Sequence, residues 1–136
     1  MPDPLFTPAE ANSALSDVRP VAERLVGVRD RMRELERSQG ELATAIGGNG
    51  GGYAATDLSA AQSELAGLTD AAIACVEKLE ELGVTVKDLD LGLLDFPALR
   101  DGLEIELCWH VGEDVVAFWH EVGEGYAGRK PIDWSE

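Results

Sequence analysis

Toward the end of the chain, Glu106, Cys108, His110 and His120 are side chains of the kinds that hold metals. Ile105 to Val111 alternates apolar and polar residues, the period of a half-buried strand, so Glu106, Cys108 and His110 share one face. If Gly112-Glu113-Asp114 is a three-residue loop, the returning strand pairs Val111 with Val115, Trp109 with Ala117 and Leu107 with Trp119. Ile105, Leu107, Trp109, Val111, Val115, Ala117 and Trp119 then form a core face. The opposite face carries Glu106, Cys108, His110, Val116, Phe118 and His120, with Glu106 directly across from His120. A thiol, two imidazoles and a carboxylate suffice for zinc or another divalent transition metal. Asp95 and Glu121 stand nearby as reserves.

Strand geometry weighs against this reading. Cys108 and His110 are about 7 Å apart along a strand, so one ion reaches both only with strong twist. A two-residue Gly112-Glu113 turn would send His120 to the other face. The competing expectation is a solvated face, with Glu106–His120 as a cross-strand pair and Cys108 as a small filler. Nucleophilic catalysis fares worse: Cys108 and His110 do not point at each other, and no oxyanion-hole loop is evident. No serine triad or pair of catalytic carboxylates stands out. Arg129, in Gly128-Arg129-Lys130-Pro131, either binds an anionic ligand or pins the tail by pairing with Asp95 or Glu121.

The elements that must carry these residues begin with a helical hairpin. One apolar ladder runs Val18, Val21, Leu25, Val28, Met32, Leu35, Gln39, Leu42, Ile46, and a second runs Leu58, Ala61, Leu65, Leu68, Ala72, Cys75, Leu79, Leu82. Both alternate spacings of three and four, as a coiled-coil seam requires. Folding the chain at Gly47-Gly48-Asn49-Gly50-Gly51-Gly52 matches them layer by layer, from Val21 with Leu82 to Ile46 with Leu58. That tip, extended to Thr56, is expected to be mobile; without a preceding strand or a GK[ST] ending it is no phosphate cradle.

Upstream, Thr7 and Glu10 form a capping box with Pro8 at the first helical position. The spacing predicts a short helix from Pro8 to Leu15, then a long one from Asp17 to Ile46 capped by Ser16, with Pro20 in its first turn. Downstream, Gly83 ends the second helix. Val84-Thr85-Val86 and Leu91-Gly92-Leu93-Leu94-Asp95-Phe96 are β-prone, Pro97 blocks continuation, and Arg100-Asp101-Gly102 turns the chain. Val115 to Val122 is a strand or, alternatively, a short helix. The expected fold is α+β: a long antiparallel helical hairpin preceded by a short helix and followed by an antiparallel meander of three or four strands, all one domain.

Composition narrows the function classes. The 136 residues carry a net charge of −15, which opposes sequence-independent nucleic-acid binding and anionic membrane surfaces. No apolar run approaches the ~20 residues that span a bilayer. Two isolated cysteines without a signal peptide point to reduced thiols in a cytoplasm, with Cys75 buried in the seam.

Phe6-Thr7 with Glu10-Ala11-Asn12, Val18-Arg19-Pro20, Leu91-Gly92-Leu93 with Asp95-Phe96-Pro97, Cys108-Trp109, Phe118-Trp119-His120 and Gly125-Tyr126-Ala127-Gly128-Arg129-Lys130-Pro131-Ile132 occur in this order. Together they resemble a small prokaryotic family known only as a domain of unknown function. The resemblance covers nearly the whole chain; it implies a standalone cytoplasmic, bacterial-type protein and no mechanism. The leading expectation is therefore a non-enzymatic interaction protein, a homodimer through the hairpin, since Ile73 and Val76 widen the apolar stripe and Arg29, Arg33 or Arg37 can meet the acidic helix of a second copy. The alternative is a metal- or small-ligand-binding module on the sheet face.

Overall fold

A computed structural model describes residues 5–49 and 52–134, the side chains of 42–57 lying outside that description. Its first helix, α1 (Pro8–Asn49), starts on the expected capping box. Thr7 N–H donates to Glu10 Oε1 at 2.9 Å, and Glu10 N–H to Thr7 Oγ1 at 3.1 Å. Phe6, just before the cap, packs edge-on against Phe96 with ring centroids 5.2 Å apart.

The expected break at Ser16 is absent. Pro8 to Asn49 is one helix of 42 residues, about 63 Å long, with Pro20 inside it. Proline removes one backbone hydrogen bond and crowds the carbonyl four residues earlier. Here Ser16 and Pro20 are exposed, so that carbonyl turns to water, while Val18 and Ala22 on the opposite side are fully buried and hold the helix straight through. Ser16 Oγ caps nothing and donates to Ser13 O.

The second helix, α2 (Gly52–Glu81), also begins earlier than expected. The glycines at the tip join helices on both sides because each costs about 1 kcal/mol, which an established helix absorbs as it propagates. Gly47, Gly48 and Asn49 thus belong to α1 and Gly52 to α2, and the expected mobility of the tip lies outside the described residues, as does the Ile46–Leu58 layer. The described members of both ladders face inward. Leu25, Met32, Leu35, Ala72, Cys75 and Leu79 are buried, whereas Leu65 and Leu68, nearer the tip, are only partly so. Gly83, at φ 94°, ends α2 in the left-handed conformation, and Val84 N–H reaches back to Leu79 O.

Five antiparallel strands follow in sequence order: β1 (Thr85–Asp88), β2 (Leu93–Arg100), β3 (Leu103–His110), β4 (Phe118–Glu121) and β5 (Lys130–Pro131). Gly92 requires its left-handed φ of 64°. A Cβ there would lie 2.6 Å from Val111 Cγ2 and 2.8 Å from Val26 Cγ2. Asp101 and Gly102, both at positive φ, make the tight two-residue hairpin turn between β2 and β3.

Pro97 does not stop β2, contrary to expectation. Phe6 N–H donates to Pro97 O at 2.7 Å, so the backbone polar groups of Pro97 face away from β3. β1 pairs with β2 only as far as Asp95, and the missing N–H therefore falls on an open edge.

Leu107 pairs with Trp119 and Glu106 with His120, the expected register. The expected pairing of Val111 with Val115 does not form, because the ladder ends at Cys108–Phe118 and residues 111–117 make an irregular connection. Nor is 115–122 a helix. Val116, expected on the polar face, is buried instead. Asn12 of α1 clamps its backbone, accepting from Val116 N–H at 2.7 Å and donating to Val116 O at 3.2 Å. Arg19 holds the same connection by donating to the carbonyls of Glu113 and Asp114. Phe96, Ala98, Ile105, Leu107, Trp109 and Trp119 form the sheet's inner layer against the helices. Among the described residues no helix is long and apolar enough to cross a membrane.

Candidate metal centre

The outer sheet face is where the unusual residues lie. Asp95, Cys108 and His120, one from each of β2, β3 and β4, are all buried. Their candidate donor atoms lie within 4.8 Å of one another. Asp95 and Cys108 are direct partners across β2 and β3, and His120 enters from β4 one pair along.

Of the four residues marked in the sequence, two meet. His110 turns aside: its Nδ1 contacts Val111 O at 2.8 Å, and its Nε2 stands 3.9 Å from Glu113 Oε1. Glu106, although paired with His120 through the backbone, sends its carboxylate toward Lys87, 3.6 Å away. Asp95, a reserve in the sequence reading, takes the third place. The face expected to be solvated is thus closed here, and Cys108 is fully buried.

Asp95 could have been found by counting. The Asp101-Gly102 turn fixes Arg100 opposite Leu103, and stepping back from it places Asp95 opposite Cys108. Treating Pro97 as the end of the strand hid that pairing.

Hydrogen bonding fixes the imidazole of His120. Its Nδ1 lies 2.8 Å from Glu121 O, and a carbonyl only accepts, so Nδ1 carries hydrogen. The other nitrogen, Nε2, faces Asp95 Oδ1 at 3.0 Å. A backbone carbonyl behind one imidazole nitrogen is also how metal-binding histidines are oriented and made more basic. With a proton on Nε2 the contact is a buried imidazolium–carboxylate pair; without one, both atoms are acceptors and a cation can stand in the proton's place.

Cys108 completes the set. Burial pushes its thiol from an ordinary 9.0 up to about 12, and the negative charge of Asp95 adds to the rise, while Arg129 opposes it. Such a thiol is no nucleophile near neutrality. Both nitrogens of His120 are engaged elsewhere, so a cysteine–histidine–aspartate relay does not form. A metal ion reverses the thiol's preference, since coordination deprotonates it outright.

Arg129 pins the tail, but through a partner the sequence did not suggest. It donates to Glu113 Oε1 at 2.6 Å and to Cys108 O at 3.2 Å, and lies over the rings of Phe118 at 4.2 Å and Tyr126 at 4.7 Å. A short 3-10 turn at Tyr126–Gly128 delivers it to the β3–β4 connection rather than to Asp95 or Glu121. Arg29 and Arg33, expected to reach a second chain, both pair with Asp90 of the same chain, at 3.3 and 2.6 Å. Arg37 and Ile73 are exposed, and Val76 is half-buried.

No curated protein and no solved structure matches the chain. A family model does, over residues 4–132, nearly the entire length and the whole of the sheet that carries Asp95, Cys108 and His120. By that match the chain belongs to the family described as an uncharacterized conserved protein, DUF2203.

Proposed function

We propose that this protein is a non-enzymatic module that holds one divalent transition metal ion, zinc foremost, through Asp95, Cys108 and His120. The observation that carries the reading is the convergence of three buried side chains, His120 Nε2 lying 3.0 Å from Asp95 Oδ1 with the Cys108 thiol beside them and all three candidate donor atoms within 4.8 Å of one another. A nitrogen, an oxygen and a sulfur donor suit zinc, and full burial suits a closed structural site rather than an open catalytic one. The ion would couple β2, β3 and β4 and so contribute directly to folding.

Untagged protein, freshly purified, should carry stoichiometric metal by elemental analysis. Cobalt substitution should give thiolate-to-metal charge-transfer absorption that Cys108→Ser removes. Absence of metal, with stability unmoved by zinc or by a chelator, would sink the reading.

A second observation favours homodimerisation through the hairpin. Ile73 is 52% exposed beside half-buried Val76, and with Met32, Ala72 and Leu89 it borders an open apolar concavity of about 250 Å³. The charge argument for this interface is weaker than the sequence suggested, because Asp90 already occupies Arg29 and Arg33. A second copy is the proposed occupant, as the ladder's burial thins toward the tip. Sedimentation equilibrium should give twice the chain mass at micromolar concentration. A monomer mass at every concentration would exclude it.

A further inference from the structure

Asp95 has a second oxygen, and the structure gives it a partner. Lys87 Nζ lies 3.7 Å from Asp95 Oδ2 and 3.6 Å from Glu106 Oε2, between the two carboxylates. Its side chain is 42% exposed, whereas those of Asp95 and Glu106 are 2% and 15% exposed. Lys87 also falls where the β1–β2 register slips, between Val86 and Asp88. Such a bulge adds a residue that faces no partner and re-aims its side chain. A flexible ammonium reaching in from solvent is a cation that can leave again.

We propose that Lys87 is a resident competitor that sets which ions the Asp95–Cys108–His120 site accepts, a proposal that rests on the metal reading above. In the free protein the ammonium occupies the cation position between Asp95 and Glu106. A divalent ion placed against Asp95 meets this positive charge and must displace it. Once Lys87 swings out, the Glu106 carboxylate loses its partner and becomes available as a fourth donor.

Displacement sharpens selectivity. Magnesium and calcium take six or more oxygen ligands and gain little from a thiol and an imidazole, so they lack the means to expel the ammonium. Zinc, cobalt and cadmium gain a thiolate bond and do not need all-oxygen coordination.

The test is competition titration of the full-length wild type, Lys87→Met and Lys87→Arg with zinc, cobalt and magnesium. Because Lys87 is exposed on an edge strand, both variants should fold, which far-ultraviolet circular dichroism checks. Lys87→Met should bind zinc and cobalt about tenfold more tightly or better than wild type, the size of an ordinary coupling between two sites. Lys87→Arg should stay within a few-fold of wild type, and Glu106→Gln should erase most of the gain in the Met background. Equal zinc affinity in all three proteins would overturn the role of Lys87 and leave the site standing. Zinc binding by Lys87→Met alone would uphold Lys87 as the occupant and overturn a resident metal in the native protein. No zinc binding by any of them would overturn both.

Discussion

Asp95 and Glu113 are both acidic side chains tied to the outer side of the sheet, yet their partners differ in kind. Glu113 Oε1 accepts from the Arg129 guanidinium and from the backbone N–H of His110, donors that do not give up their hydrogens near neutral pH. Asp95 instead meets an imidazole nitrogen and a lysine at arm's length, and lies beside a thiol. The first arrangement is saturated and fixes the tail. The second can exchange what it holds, because the half-exposed Lys87 can withdraw and a metal ion can take the place of the protons held there. Buried charge alone does not mark a site; the replaceability of its partners does.

That contrast can be broken most directly by deletion. Asp95→Ala leaves His120 without its buried partner, and removing one half of such a pair costs about 3–5 kcal/mol. Glu113→Ala should cost less, about 1–3 kcal/mol, since Arg129 keeps the Cys108 carbonyl and two aromatic faces. Urea denaturation of both variants checks this; equal losses would erase the distinction.

A pH experiment sharpens it next. The native Cys108 thiol keeps its proton up to about 12, while an unfolded one ionises near 9.0. Between those values the unfolded chain holds fewer protons, so stability falls as pH rises, at most by about 1.4 kcal/mol per pH unit from this group. Cys108→Ala should flatten that alkaline decline. Bound zinc should flatten it too, by holding the thiolate. An unchanged slope in the variant would show that Cys108 is not insulated from solvent.

The smallest effect is expected from Arg129→Lys. It keeps the charge beside Glu113 but loses the planar fork that serves Glu113 and the Cys108 carbonyl together, for about 1 kcal/mol. A loss as large as that of Asp95→Ala, or any change in zinc affinity beyond a few-fold, would show that the two clusters act as one.

Much of the architecture was legible because it is local. The Thr7–Glu10 box, the Asp101-Gly102 turn and the paired ladders each depend on spacings of a few residues, and all three form. The Glu106–His120 register was legible too from strand alternation, although the connection between the strands is longer than the three-residue loop expected. What escaped depends on distant parts of the chain. Pro20 read as a first-turn residue of a separate helix starting after Ser16, and Pro97 as a stop, but burial beside one and the edge position of the other let the helix and the strand continue. Val116 alternates onto the polar face in sequence and is pulled into the core by Asn12. The metal candidates were half legible. Cys108 and His120 share a face by strand period, whereas Asp95 joins them only once β2 is carried through its proline. His110, equally eligible by period, lies at the last position of β3, beyond the ladder with β4, and finds local partners instead.

The clamp of Asn12 on Val116 has a consequence for how the protein is made. The two residues are separated by 104 positions, and Phe6 likewise waits for Pro97. At about 5–20 residues per second, a ribosome leaves the first turn of α1 without its sheet partners for roughly 5–20 s after Asn12 is joined to the chain. During that interval Ala11, Leu15 and Val18, all buried in the finished fold, are not yet part of the completed core. Closure of the molecule is therefore a late, non-local event, of the kind that slows folding and exposes a nascent chain to association. A helper that shields the amino-terminal helix would act in that window, and a mutation that loosens the Asn12 clamp would lengthen it.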